Sequence, residues 1–232
     1  MREAVEAQGF VDADFEALAK SFEQAWNRVS PWAEHVDADG SPDHAHMLGG
    51  PTPEWISTWE MWRRQFEHTF AANGLDGNAV QGADRFRKTL SHAAAYSDAH
   101  DTVDALDAAG YRLGLLSNAD DDFLQSAVSH NRMRFSVIQT SESLHVYKPN
   151  RAAFDELCHR LGCAPHEVLY VGDSPQADVA GARHAGLRVA WINQRPGGYE
   201  LPEHYPRPDF TVDSLTAAAA VLDVTVPAPA AS

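Results

Sequence analysis

The sequence predicts an α/β fold, a parallel sheet covered on both faces by helices, with an all-helical domain ahead of it. Three observations carry this expectation. From about residue 96 onward, short apolar runs bounded by turn residues alternate with helical stretches of 9 to 12 residues, the pattern of strands buried by crossover helices. Over the first 95 or so residues apolar side chains recur at helical spacing and no convincing strand is seen. The length of 232 residues suits one α/β domain with a sizeable insert, or two small domains. The expected bounds are a helical domain over 1–95, an α/β core over 96–225 and a disordered tail over 226–232.

In the helical half, Phe15, Leu18, Phe22, Ala25 and Trp26 mark one stripe, and Trp55, Trp59, Trp62, Phe66 and Phe70 another. Three to five helices are expected, and the tryptophans at i, i+4, i+7 read as core packing before a substrate wall. A Gly/Pro/His/Asp loop, about 33–52, separates the stripes. His44 and His46 within it lack a partner constellation of Cys or carboxylate and read as solvated loop histidines. The α/β half opens with a short amphipathic helix from His100 to Ala109, closed by Gly110. Then come a strand over Arg112–Leu116, a helix from Asp121 to Ser129 and a strand over Phe135–Thr140. Asn150 is the expected N-cap of a helix burying Phe154, Leu157 and Leu161 and ending at Gly162. A strand over Val168–Val171, a helix from Pro175 to Ala185 with Gly186 after it, and a strand over Arg188–Ile192 follow. Phe210–Val212 and an alanine-rich helix over Leu215–Leu222 close the fold.

Composition narrows the partners. A net charge of −15 argues against nucleic acid or an anionic membrane surface as a general partner, though not against an anionic substrate in a locally positive site. No run approaches the roughly 18 apolar residues of a membrane span, and the N-terminus lacks the features of a signal peptide, so a cytoplasmic protein is expected. Cys158 and Cys163 match neither a redox CxxC nor a zinc spacing and read as two thiols of a reducing compartment. Nothing in the sequence sets the oligomeric state. Only three of the 18 basic residues are lysine (Lys20, Lys88, Lys148), which singles out the one directly before Pro149.

The chemistry gathers at strand exits. Ser117 and Asn118 follow the apolar run ending at Leu116, and Asp173 follows the run ending at Gly172, with Asp178 five residues on. In parallel sheets ligands collect at these carboxyl ends. A phosphate monoester is dianionic and needs donors and positive charge together. Ser117 offers a hydroxyl, Asn118 opens the following turn, and Lys148 offers a point charge from another loop. Asp173 and Asp178 are suited to Mg²⁺, which prefers carboxylates and water and bridges to a phosphoryl oxygen. Each element alone has a structural reading: Ser-Asn as a turn and N-cap, GDSPQAD as a strand–turn–helix junction with Asp178 favoured by the helix dipole. In this order, 31 and then 25 residues apart, they point to one site.

This combination resembles the haloacid dehalogenase-like (HAD) hydrolase superfamily over about residues 96–223. LGLLSN is similar to its second motif, with Ser117 binding phosphate; VYKPN to its third, with Lys148 neutralising phosphate and nucleophile; VGDSPQAD to its fourth, with Asp173 and Asp178 around Mg²⁺. The helical first half is similar to the cap that many members insert after their first motif. The resemblance implies a Rossmannoid core with a helical cap, and phosphoryl transfer to an aspartate followed by hydrolysis of the aspartyl-phosphate.

The first motif departs from the family. Members start with an apolar strand ending in Asp-x-Asp-Gly-Thr, whereas Met1-Arg-Glu-Ala-Val-Glu-Ala is already helical. The lookalike Val36-Asp37-Ala38-Asp39-Gly40-Ser41 has no apolar strand before it and Pro31 upstream, so it reads as a polar loop. Without that strand two interior strands keep unpaired edges, and on the order of 10 kcal/mol of apolar burial is lost. The chain is therefore expected to be an N-terminally shortened form of an enzyme, inactive as written. The leading function is a Mg²⁺-dependent phosphatase of a small phosphorylated metabolite. The alternatives are a metal-free 2-haloacid dehalogenase, disfavoured by two carboxylates facing a carboxylate substrate, and a non-catalytic phosphate-binding or interaction protein.

Overall fold

The computed structural model describes residues 1–33, 43–194 and 200–227. Its first half is helical: α1 (Arg2–Glu6), α2 (Phe15–Val29), α3 (His44–Gly49), α4 (Thr58–Ala72) and α5 (Ala79–Ser91). Local chemistry starts the longer helices. Asp14 accepts from the N–H groups of Glu16 and Ala17 at the head of α2, and Ser57 accepts from Glu60 N–H at the head of α4. Their apolar faces then meet, burying Val5, Leu18, Trp62, Phe66, Phe70 and Ala83 as one cluster. Aromatic edges fill it, with Phe22 and Phe66 rings 4.9 Å apart and Trp62 and Phe86 5.0 Å apart, both edge-to-face.

The tryptophan stripe divides. Trp62 is buried in this cluster, whereas Trp55 stacks on His145 of the other half at 4.8 Å. The expected loop at 33–52 contains α3, because Asp43 accepts from His46 N–H and nucleates a turn too short to show periodicity. His46 therefore sits on a helix, its ring edge-on to Trp32. The lookalike motif 36–41 and most of the expected tail lie outside the described residues.

The second half alternates: α6 (Ala99–Ala108), β1 (Gly114–Ser117), α7 (Asp121–His130), β2 (Val137–Thr140), α8 (Ser141–Leu144), α9 (Arg151–Leu161), β3 (Leu169–Gly172), α10 (Gly181–His184), β4 (Arg188–Ile192), β5 (Phe210–Val212) and α11 (Leu215–Ala220). Every strand pairing is parallel. β1 runs beside β2 from Gly114↔Val137 to Ser117↔Thr140. β3, β4 and β5 form a second sheet, in register from Leu169↔Arg188 and Ala190↔Phe210. Among the described residues the ladder parts between β1 and β3, the two strands that carry the site at their ends. One apolar cluster nevertheless spans both sheets, joining Leu116 and Val137 to Phe154, Leu157, Tyr170, Val179 and Val189.

Asn150 caps α9 as expected, accepting from Ala152 N–H, and Gly162 ends it at φ +63°. The segment expected as one helix from Pro175 is a widened π turn over Pro175–Ala180 that tightens into α10. The N–H groups of both Asp178 and Val179 reach Ser174 O at 3.0 Å, a pattern that a residue sequence does not announce. No helix among the described residues is long and apolar enough to cross a membrane.

Candidate active site

The site is built at the carboxyl ends of β1 and β3, on either side of the break in the sheet. Asn118, just past β1, holds the backbone of Lys148 with both arms of its amide. Its Oδ1 accepts from Lys148 N–H at 2.8 Å, and its Nδ2 donates to Lys148 O at 3.0 Å. That two-point clamp fixes where the lysine side chain starts, and the next peptide, Lys148–Pro149, is cis.

From there the ammonium runs into the seam. Lys148 Nζ donates to Asp178 Oδ1 at 2.7 Å, to the Tyr170 hydroxyl at 3.0 Å and to Leu116 O, a β1 carbonyl, at 3.3 Å. Asp178 is only 4% exposed. Its Oδ1 also accepts from the Tyr170 hydroxyl at 3.0 Å, and its Oδ2 accepts from the N–H groups of Asp173 and Ser174 at 3.2 and 3.0 Å. Four donors satisfy this carboxylate, as burial of a charge requires. Gly172 makes the approach possible: a Cβ there would lie 2.5 Å from Asp178 Cγ.

The electrostatics follow from this packing. Burial on its own would lower the Lys148 pKa, but Tyr170 and Asp178 outweigh it and hold the ammonium above its ordinary range. Burial pushes the Tyr170 phenol above its ordinary range, with Lys148 working against the shift and Asp178 adding to it. Tyr147 is raised likewise, by burial first and then by the charge of Asp120.

Asp173 is exposed, and its side chain makes no hydrogen bond or ion pair among the described residues; its carbonyl accepts from Trp191 Nε1 at 2.9 Å. The half-buried Ser117 hydroxyl makes no hydrogen bond among the described residues either. The structure thus joins Asn118, Lys148 and Asp178 directly and sets Asp173 beside Asp178 through its N–H. Ser117 enters this set through the backbone, between Leu116 and Asn118. No group of three or more His, Cys, Asp or Glu side chains suited to a metal ion exists among the described residues.

Three partners escaped the sequence reading. Tyr170 had a weak signal, a phenol in an otherwise apolar strand, which when buried needs a partner. Tyr147 donates its hydroxyl to Ile56 O, and Asp120, 6% exposed, accepts from Thr58 N–H at 2.7 Å and Trp59 N–H at 2.9 Å. Asn150 Nδ2 donates to Gly50 O at 3.1 Å. These bonds dock the segment leading into α4 onto the loops that hold Lys148. Nothing local in the sequence marks contacts between residues so far apart.

Parallel α/β topology with a charged cluster at the strand ends puts the site where such sheets bind ligands. The profile of haloacid dehalogenase-like hydrolases matches residues 57–192, and the chain belongs to that family. It is similar to (S)-2-haloacid dehalogenase 4A of Burkholderia cepacia, 32% identical over 51% of this chain and 52% of that protein. It is also similar to phosphoserine phosphatase of Thermus thermophilus, 28% identical over 80% of this chain and 75% of that one. The chain thus spans about half the length of the first relative and three quarters of the second. The L-2-haloacid dehalogenase of Xanthobacter autotrophicus, with chloropropionic acid covalently bound, superimposes with a TM-score of 0.73 at 18% identity, covering 96% of this chain and 92% of that one. That likeness speaks for the fold.

Proposed function

We propose that this hydrolase acts on a small phosphomonoester with the help of Mg²⁺. The observation that supports this reading is Asp173, an exposed carboxylate with no partner among the described residues, set beside the buried Lys148–Asp178 pair. Mg²⁺ is commonly held by one or two carboxylates, completed by substrate phosphate and water, so this donor set fits it. Asp173 would be the open ligand, and Asp178 would join it by giving up one of its four donors. When bound, the ion would neutralise developing charge on the phosphoryl oxygens.

The chain's own groups do the remaining work. Ser117 donates its hydroxyl to a phosphoryl oxygen, and Lys148 holds positive charge where an attacking carboxylate and the phosphoryl group meet. Asp178 and Tyr170 keep that ammonium from drifting. The attacking carboxylate is not among the described residues near Lys148, whose one carboxylate partner there is Asp178. We place its entry at the seam between β1 and β3, the position from which a strand end would face Lys148. Attack forms an aspartyl-phosphate as the leaving oxygen departs with a proton, and water then releases phosphate and regenerates the carboxylate.

Metal-free hydrolysis of a 2-haloacid is the second reading. Asp178 spends both oxygens on protein donors, which favours it, and dehalogenases stand beside phosphatases among the relatives. The experiment compares phosphate release from an aryl phosphate in Mg²⁺ with halide release from (S)-2-chloropropionate in EDTA. Residues 1–232 would be assayed alone and with an apolar strand ending in Asp-x-Asp-Gly-Thr fused ahead of Met1. We expect phosphate release from the fused form only, reduced on the order of 100-fold by Lys148→Ala. Halide release in EDTA would instead establish the second reading. Neither activity in the folded, fused protein would favour a non-catalytic phosphate binder.

A further inference from the structure

Far from the strand ends, the last turn of α9 carries the chain's two thiols in a particular relation. Gly162 N–H donates to His159 O and Cys163 N–H donates to Cys158 O, at 3.0 and 3.1 Å, with Gly162 at φ +63°. This pair of bonds is a Schellman motif, in which the residue two beyond the helix folds back toward the residue five before it, a placement that frequently brings their side chains into contact. Here those two side chains are Cys163 and Cys158. Both are free thiols, Cys158 buried and Cys163 half-buried. The reversed chain direction also suits a disulfide, which needs Cα atoms about 4.4–6.8 Å apart and converging Cβ atoms.

The two sulfurs are not equivalent. Arg112, exposed at the entry to β1, donates from Nη2 to Cys163 Sγ at 3.1 Å while also bonding the carbonyls of Leu161 and Gly162. The guanidinium thus faces the Cys163 sulfur, placed to steady negative charge that builds on it during attack. Cys158 has the opposite setting: burial first, then the charge of Asp155 and the neighbouring Cys163, raises its pKa and keeps it protonated.

We propose that Cys163 and Cys158 form a peroxide-sensitive modification site, with Cys163 reacting first and Cys158 resolving it. The Cys163 thiolate attacks a hydroperoxide, forming an S–O bond as the O–O bond breaks; the leaving oxygen takes up a proton as water or alcohol. The Cys158 sulfur then attacks the sulfenic sulfur, its proton leaves with the hydroxyl as water, and the disulfide closes. Two thiols lose two electrons and one hydroperoxide gains them. Oxidation withdraws Cys163 from Arg112 and so removes one of the bonds between the end of α9 and the start of β1. This site is separate from the Lys148 cluster and does not depend on the hydrolytic reading.

Arg160 lies between the cysteines, so trypsin separates them into peptides 152–160 and 161–183. After limited hydrogen peroxide treatment of the intact chain, tryptic digestion and non-reducing mass spectrometry are expected to find these two peptides joined, two hydrogens lighter than their sum. Dithiothreitol should separate them. Cys158→Ser should leave Cys163 trapped as a sulfenic acid that dimedone labels, and Arg112→Gln should slow iodoacetamide alkylation of Cys163 at pH 7 several-fold. The proposal is overturned if peroxide oxidises the wild-type chain at other residues first, or takes Cys163 to the sulfinic acid with no linked peptide. It is equally overturned if native Cys163 alkylates no faster than in the urea-unfolded chain.

Discussion

At the scale of single residues, the Lys148–Asp178 pair is both the centre of the site and a liability of the core. Removing one member of a buried pair leaves the other charge unanswered, which costs about 3–5 kcal/mol. Asp178→Asn is therefore expected to lower stability by that amount in urea titration, and an unchanged midpoint would show the pair to be loosely held. The pH dependence has a definite sign. The Lys148 pKa is raised in the fold, so its stabilising contribution is complete below the unfolded value of about 10.4. It is lost only as pH rises through the folded value, which lies higher. Thermal melts between pH 6 and 9 should show no slope from this group, and above about pH 10.5 wild type should lose stability faster than Lys148→Met. The sequence singled out Ser117, Asn118, Lys148, Asp173 and Asp178 by their order along the chain, and of these the structure joins Asn118, Lys148 and Asp178 directly. That Lys148 and Asp178 satisfy each other was not legible, since the contact depends on how far two loops converge.

At the scale of elements, two joints decide whether the site assembles. Gly172 closes β3 where a methyl group would press on the Asp178 carboxylate. Gly172→Ala is expected to weaken Mg²⁺ binding in calorimetric titration of the fused form, though it touches neither Asp173 nor the solvent face of the site. Unchanged affinity would mean that Asp178 can yield. Asp120 heads α4 by accepting two of its N–H groups. Asp120→Ala should cost about 1–2 kcal/mol, as losses of N-terminal caps do, and should quicken amide hydrogen exchange at Thr58 and Trp59 above all. Uniform exchange across α4 would refute a local capping role. The strands and α9 were readable from apolar runs, an Asn cap and a closing Gly. The π turn at Pro175–Ala180 and the short α3 were not, because their hydrogen bonds leave no periodic trace.

For the whole molecule, the parting of β1 from β3 among the described residues agrees with the expected unpaired strand edges, and the docking of one half on the other left no trace in the sequence. Charge also acts at this scale. With a net charge of −15, the folded chain repels itself more than its expanded form does, and salt shortens the range of that repulsion from about 30 Å at 0.01 M to about 3 Å at 1 M. Melting temperature should therefore rise by several degrees between low and high NaCl; a fall would mean that specific ion pairs outweigh net repulsion.

The bonds joining the two halves have a consequence for how this protein can change. Gly50 and Ile56 are gripped by their carbonyl oxygens, Thr58 and Trp59 by their N–H groups. Every one of these contacts is made to the backbone. The α/β half thus recognises the path of the chain at these four residues, so the exposed positions Pro51, Thr52 and Glu54 can change without loosening these bonds, whereas Trp55, stacked on His145, is held by its side chain. Those exposed side chains are free to vary while Asp120, Tyr147 and Asn150 stay as they are.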